Sequence, residues 1–183
     1  MLELEIAHAD VQDVAAAALL VPVDGALCRL GGAAAGALRA ALAPDERDDE
    51  IEYVSEMLAR LRPLGNGEAR AIDGVARWSW LIASAAYPHN VDGRTYQIAD
   101  CAAMLRAALP AAIAATGTAD APSLAMTVIG TAYRMPGDVA VRAQVDGLAA
   151  ASAVSLRVVW AFREAALMGI ARDAAARVGL RVV

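Results

Sequence analysis

The sequence predicts an α/β protein, a three-layer α/β/α sandwich with a central mixed sheet covered by helices on both faces. Three observations predict it. Short apolar runs of strand length alternate with Ala- and Leu-rich segments of helical spacing along the whole of the 183 residues. The runs near 19–23, 78–87 and 123–129 are apolar almost without a break, as strands buried on both faces are. The first run, by contrast, alternates strictly, as a half-buried strand does. A chain of this length falls within the roughly 100 to 200 residues of a single domain, so residues 1–183 are expected to share one core.

Residues 2–7 set Leu2, Leu4 and Ile6 on one face against Glu3 and Glu5 on the other, which suits a strand at or near a sheet edge. His8-Ala9-Asp10-Val11-Gln12-Asp13 is a polar turn. A second strand over 17–23 contains Leu19-Leu20-Val21-Pro22-Val23 and stops at Asp24-Gly25. Gly31-Gly32 then precedes a helix over 33–43, rich in the two best helix formers and free of β-branched residues, which ends before Pro44. Asp45-Glu46-Arg47-Asp48-Asp49-Glu50 opens a helix over 46–62, with acids in its first turn and Arg60 and Arg62 in its last, as the helix dipole favours. That charge run reads as a solvated helix start rather than an acidic binding tail. Pro63-Leu64-Gly65-Asn66-Gly67 breaks the helix.

A strand over 68–72 closes at Asp73-Gly74, and an aromatic-rich one over 78–87 is continuous enough for the middle of a sheet. Past the polar loop at 88–94, a helix over 95–115 is expected to kink or break at Pro110. A loop at 116–122, a buried strand over 123–129 and the loop Gly130-Thr131-Ala132-Tyr133-Arg134-Met135-Pro136-Gly137 follow. A helix over 138–151, a strand over 155–162, a helix over 164–178 and a short strand over 180–183 complete the alternation. In such folds ligands lie in the crevice at the carboxyl ends of the strands, where the loops after Val23, Tyr87 and Ile129 gather.

Composition narrows the function. No uninterrupted apolar segment reaches the roughly 18 to 20 residues of a membrane span. The start, Met1-Leu2-Glu3-Leu4-Glu5, carries acids where a secretory signal carries basic residues. A cytoplasmic protein without membrane contact is therefore expected. Net charge is −5 and the 16 basic residues, all Arg, are scattered, so there is no basic stripe for nucleic acid. A chain with no Lys and much Ala and Arg looks like the product of a GC-rich, bacterial coding sequence. Cys28 and Cys101 stand far apart and outside any metal-ligand spacing, so they are expected to be reduced, buried thiols. No nucleophile elbow, Walker loop or cluster of metal ligands occurs, so neither a metal nor a cofactor is called for.

Two loops stand out for binding. Gly31-Gly32 before a helix leaves backbone N–H groups free where the dipole attracts anions such as phosphate, although the same pair also suits a plain strand-to-helix connection. The order of elements and several motifs together resemble a macro domain, the ADP-ribose-binding module. Ala9-Asp10-Val11-Gln12 stands where the family has Gly-Asp-Ile-Thr, and Gly31-Gly32-Ala33-Ala34-Ala35-Gly36-Ala37-Leu38 resembles its Gly-rich loop and helix start. Asn66-Gly67-Glu68-Ala69 resembles a Thr-Gly-Glu-Ala strand start, and Ile129-Gly130-Thr131-Ala132-Tyr133-Arg134-Met135-Pro136 resembles its Ser-Thr-Gly-Ile-Tyr-Gly-x-Pro loop. The family's Asn-Ala-Ala-Asn run is replaced by Val21-Pro22-Val23-Asp24, so neither asparagine survives. Against that pattern, residues 44–63 read as a helical insertion.

The resemblance implies a site for ADP-ribose or a related nucleotide diphosphate, formed by Asp10, Val11, Asp24, Gly31, Gly32, Ala33, Gly130, Thr131, Ala132, Tyr133 and Arg134. It assigns to Asp10 a hydrogen bond from the exocyclic amine of adenine; the alternative is that Asp10 only caps a turn. Tyr133 either covers a sugar or packs into the core. Arg134 either contacts phosphate or narrows the cleft, since the family has Gly there. Asp24 and His89 are the candidates for a hydrolase that removes ADP-ribose or acetyl-ADP-ribose, each with a plainer reading as a loop residue. A third reading is a degenerate pocket on a subunit or scaffold protein. The expected partner is a small molecule, and a homo-oligomer stays open.

Overall fold

The computed structural model describes residues 1–87, 97–131 and 135–183. In chain order the elements are β1 (Glu3–His8), a single 3-10 turn (Val11–Asp13), β2 (Ala18–Asp24), α1 (Gly32–Ala41), α2 (Arg47–Ala59), β3 (Ala69–Asp73), β4 (Trp80–Tyr87), α3 (Ile98–Thr118), β5 (Ser123–Met126), α4 (Gly137–Ala150), β6 (Arg157–Phe162), α5 (Ala165–Arg177) and β7 (Arg181–Val182). The strands form one mixed sheet in the order β3-β4-β2-β5-β6-β1-β7. All neighbours pair in parallel except β3, which runs antiparallel to β4 at one edge.

Successive strand residues point to opposite faces, and here each face has its own apolar cluster. Ala18 and Leu20 of β2 and Val158, Trp160 and Phe162 of β6 join Leu105, Leu109 and Ile113 of α3, Val141 and Leu148 of α4, and Met168 of α5. Leu19, Val21 and Val23 of β2 and Val159 and Ala161 of β6 join Ala37 and Leu38 of α1 and Val54 and Leu58 of α2. Both faces of the sheet are covered. The segment read as an insertion thus contributes α2, which packs beside α1 on the second face.

Two expectations need correcting. Helix α3 runs through Pro110 without a break. The missing N–H frees a carbonyl one turn back, but packing holds the helix on both sides of it. A Cβ on Gly147 of α4 would lie 2.8 Å from Leu109 Cβ and 3.0 Å from the Arg106 carbonyl oxygen, so the two helices touch closely at this point. Arg106 Nε also meets Asp146 Oδ2 at 3.1 Å across the same contact. By length and composition α3 is apolar enough to cross a membrane, with a mean hydropathy of 1.5 over its most apolar window. Its Leu105, Ala108, Leu109, Ala112 and Ile113 form one face that is fully buried against the sheet and α4.

The second correction concerns β5, which ends at Met126 rather than at 129. Residues 127–129 leave the sheet. The fully buried side chain of Gln144 holds them in place of a neighbouring strand: its Oε1 accepts the Ile129 N–H at 2.8 Å and its Nε2 donates to the Thr127 carbonyl at 3.0 Å. An apolar run read along the sequence cannot distinguish hydrogen bonds made to a strand from those made to an amide side chain.

Candidate functional site

The carboxyl ends of the neighbouring strands β5, β6 and β1 lie at one end of the sheet, and a cleft of about 220 Å³ opens there. Register places its first wall. His8 pairs with Phe162, and the Ala9 N–H continues the ladder to the Phe162 carbonyl at 3.1 Å. The next residues, Asp10 and Arg163, therefore leave their strands side by side. Asp10 precedes the 3-10 turn, whose Asp13 N–H bonds its carbonyl at 2.9 Å, but its side chain does not cap that turn. Instead Oδ1 accepts from Arg163 Nε, closing an ion pair at the mouth of the cleft. His8 Nε2 lies 3.1 Å from the Arg163 carbonyl and ties this backbone to the end of β1.

The second wall comes from α1. Gly31 is extended (φ −159°, ψ 179°) and leads to Gly32, whose φ of +60° favours glycine. Among the described residues no side chain caps this helix, and a Cβ on either glycine would meet no atom within 4 Å. Among the described residues the first N–H groups of α1 thus lack a side-chain partner beside Ala33, which lines the cleft. The third wall is the loop that Gln144 braces, contributing Thr127, Val128 and Thr131. Gly130 turns the chain there with φ +105°, and a Cβ would meet Met135 Cε at 3.2 Å. Its carbonyl accepts the Met135 N–H at 3.4 Å.

Of the sequence-derived candidates, Asp10, Val11, Ala33 and Thr131 line this cleft, with Gly31, Gly32 and Gly130 one or two residues away along the chain. Asp24 is outside that lining. It closes its own turn, Oδ1 accepting the Leu27 N–H at 2.6 Å while its carbonyl accepts the Cys28 N–H at 2.9 Å. His89, Ala132, Tyr133 and Arg134 lie outside the described residues.

Sequence reasoning missed Arg163, Glu164 and Gln144. A local signal marked only the position of the first two: Trp160-Ala161-Phe162 is an apolar strand end followed at once by two charges and a helix, a pattern that says nothing of the partner of Arg163. Among the described residues, the charged side chains lining the cleft are Asp10, Arg163 and Glu164, two acids and one base. An anion in the cleft would thus meet its donors on the backbone rather than on a basic patch. No group of three or more His, Cys, Asp or Glu side chains is placed to hold a metal ion among the described residues.

No protein-family model and no curated protein matches this chain. Solved structures do. A variant of the Oceanobacillus iheyensis macrodomain with bound ADP-ribose superposes with a TM-score of 0.70 at 15% identity, covering 96% of this chain and 92% of that one. The macro domain of ganglioside-induced differentiation-associated protein 2 gives a TM-score of 0.66 at 15% identity, over 93% of this chain and 81% of that one. The Trypanosoma brucei macrodomain in complex with ADP-ribose gives 0.64 at 14% identity, over 92% and 67%. The chain has the macro domain fold.

Proposed function

We propose that this protein binds ADP-ribose or a related nucleotide diphosphate in the cleft at the ends of β1, β5 and β6. One observation carries the reading: a carboxylate, an uncapped helix start and a glycine-turned loop, distant in sequence, converge on one opening. Asp10 accepts an amine of the base. The N–H groups at the start of α1 and in the loop at 127–131 take the diphosphate, which helix starts and runs of backbone N–H groups suit. The cleft is smaller than the roughly 300 to 1,000 Å³ of enclosed ligand pockets, so the ligand lies along it, partly exposed. The neighbours of this fold that hold ADP-ribose or ADP support the choice of ligand.

The reading is one of binding rather than turnover. Asp24 spends Oδ1 on its own turn, which argues against its serving as a general base for an attacking water. Two free cysteines, Cys28 and Cys101, support a reducing, cytoplasmic setting, and the lysine-free composition supports a bacterial source. Isothermal titration with ADP-ribose tests the proposal. Saturable one-to-one binding is expected, and no heat at high micromolar protein would remove it.

A further inference from the structure

The carboxylate at the base end of the cleft is already paired. Arg163 donates Nε–H to Asp10 Oδ1, while its own carbonyl is tied to His8 Nε2 at 3.1 Å. Both side chains line the opening. That arrangement leaves Asp10 Oδ2 as an acceptor beside the Nη groups of Arg163 as donors, since an Arg presents five N–H donors in one plane and one of them is used. An acceptor next to a donor differs from a bare carboxylate. It matches a base edge on which an amine sits next to an unprotonated ring nitrogen, the combination that adenine presents at its N6 and N1. The guanidinium plane can also lie against a base face.

We infer that Arg163 is a specificity-determining residue of the nucleotide site, forming with Asp10 a donor–acceptor edge that selects an aminopurine. The inference rests on the nucleotide-binding reading above. Asp10 receives the exocyclic amine on Oδ2, and an Nη–H of Arg163 donates to the adjoining ring nitrogen. The pair also carries no net charge, so Arg163 offsets the repulsion that Asp10 would exert on the diphosphate. Arg163 is well suited to a ligand-directed role because its side chain is 78% exposed and belongs to neither apolar cluster.

The test is titration of wild type, Arg163→Ala and Arg163→Lys with ADP-ribose and with its hypoxanthine analogue, in which a carbonyl replaces the amine and the adjoining ring nitrogen carries a proton. Wild type is expected to prefer ADP-ribose by about ten-fold or more, the discrimination typical of one bidentate base contact. Arg163→Ala is expected to weaken ADP-ribose by a similar factor and to erase the preference. Arg163→Lys, which keeps the charge but not the planar fork, is expected to recover less than half of that loss on a logarithmic scale. If Arg163→Ala binds ADP-ribose as well as wild type or better, with the preference intact, Arg163 is a bystander or a competitor for Asp10 and the inference falls while nucleotide binding stands. If wild type binds neither nucleotide, both fall. Circular dichroism of the variants, expected to overlay wild type, confirms that the comparison is between folded proteins.

Discussion

Two loops leave neighbouring parallel strands at the same end of the sheet, and they are fastened in opposite ways. The loop after β5 is braced from behind: Gln144, buried in α4, holds Thr127 and Ile129 and leaves Val128 and Thr131 facing the cleft. The loop after β2 is fastened by its own atoms. Asp24 closes its turn with both side chain and carbonyl, and Gly25 lies against the chain beyond α2, its carbonyl accepting the Leu64 N–H at 2.7 Å. A loop braced from the core keeps its outer atoms for a ligand, whereas the first residues after β2, which consume their own polar groups, form a structural joint ahead of the Gly31-Gly32 wall.

The largest effect is expected at the joint. A Cβ on Gly25 would sit 1.9 Å from the Leu64 carbonyl oxygen, a backbone atom that cannot swing aside. Gly25→Ala should therefore cost about 4 kcal/mol of stability, read as a drop in the urea midpoint at unchanged slope. A loss below about 1 kcal/mol would show that the joint is loose and would blur the contrast between the loops. Gln144→Leu comes next. It keeps the volume but strands the Ile129 N–H and the Thr127 carbonyl, at about 2 to 4 kcal/mol together. Unlike the Gly25 variant, it should also weaken ADP-ribose binding in the folded protein at low temperature. Affinity unchanged by Gln144→Leu would mean that the brace serves the core alone.

Much of the fold was legible in residues because the physics there is local or periodic. The run Leu19-Leu20-Val21-Pro22-Val23 feeds both apolar clusters alternately, and a strand buried on both sides must be apolar throughout. The end of β5 was not legible, because Thr127, Val128 and Ile129 have strand-like side chains while their hydrogen bonds go to a residue 15 to 17 positions away. Of the cleft, Gly31-Gly32 was readable from its place before a helix, and Asp10 and the loop at Gly130 through the family resemblance. Arg163 was not, because its role comes from the parallel pairing of β1 with β6, a contact 153 residues apart in the chain. Pairing at that distance leaves no trace in a local window.

Asp24 offers a smaller and sharper test. Asp24→Ala should cost about 1 kcal/mol, the worth of one hydrogen bond in its turn, and leave ADP-ribose affinity within about two-fold. A marked gain in affinity would place its charge against the diphosphate and return Asp24 to the site.

The smallest expected effect follows the same charge inward. Cys28 is buried beneath the Asp24 turn, and its thiol pKa is raised first by that burial and then by the Asp24 carboxylate. A thiol whose folded pKa lies above its unfolded one holds its proton more tightly in the native state. Its contribution to stability is therefore complete below the unfolded value, about 8.5, and is lost as pH rises through the folded value. The stability of wild type relative to Cys28→Ala should accordingly decline between pH 8 and pH 10, a difference that cancels the titration of tyrosines common to both. In the Asp24→Ala background the decline should be shallower, because one of the two causes that raise the thiol pKa is then gone. An equal decline in both backgrounds would mean that the Asp24 charge is directed away from Cys28, toward the solvent side of its turn.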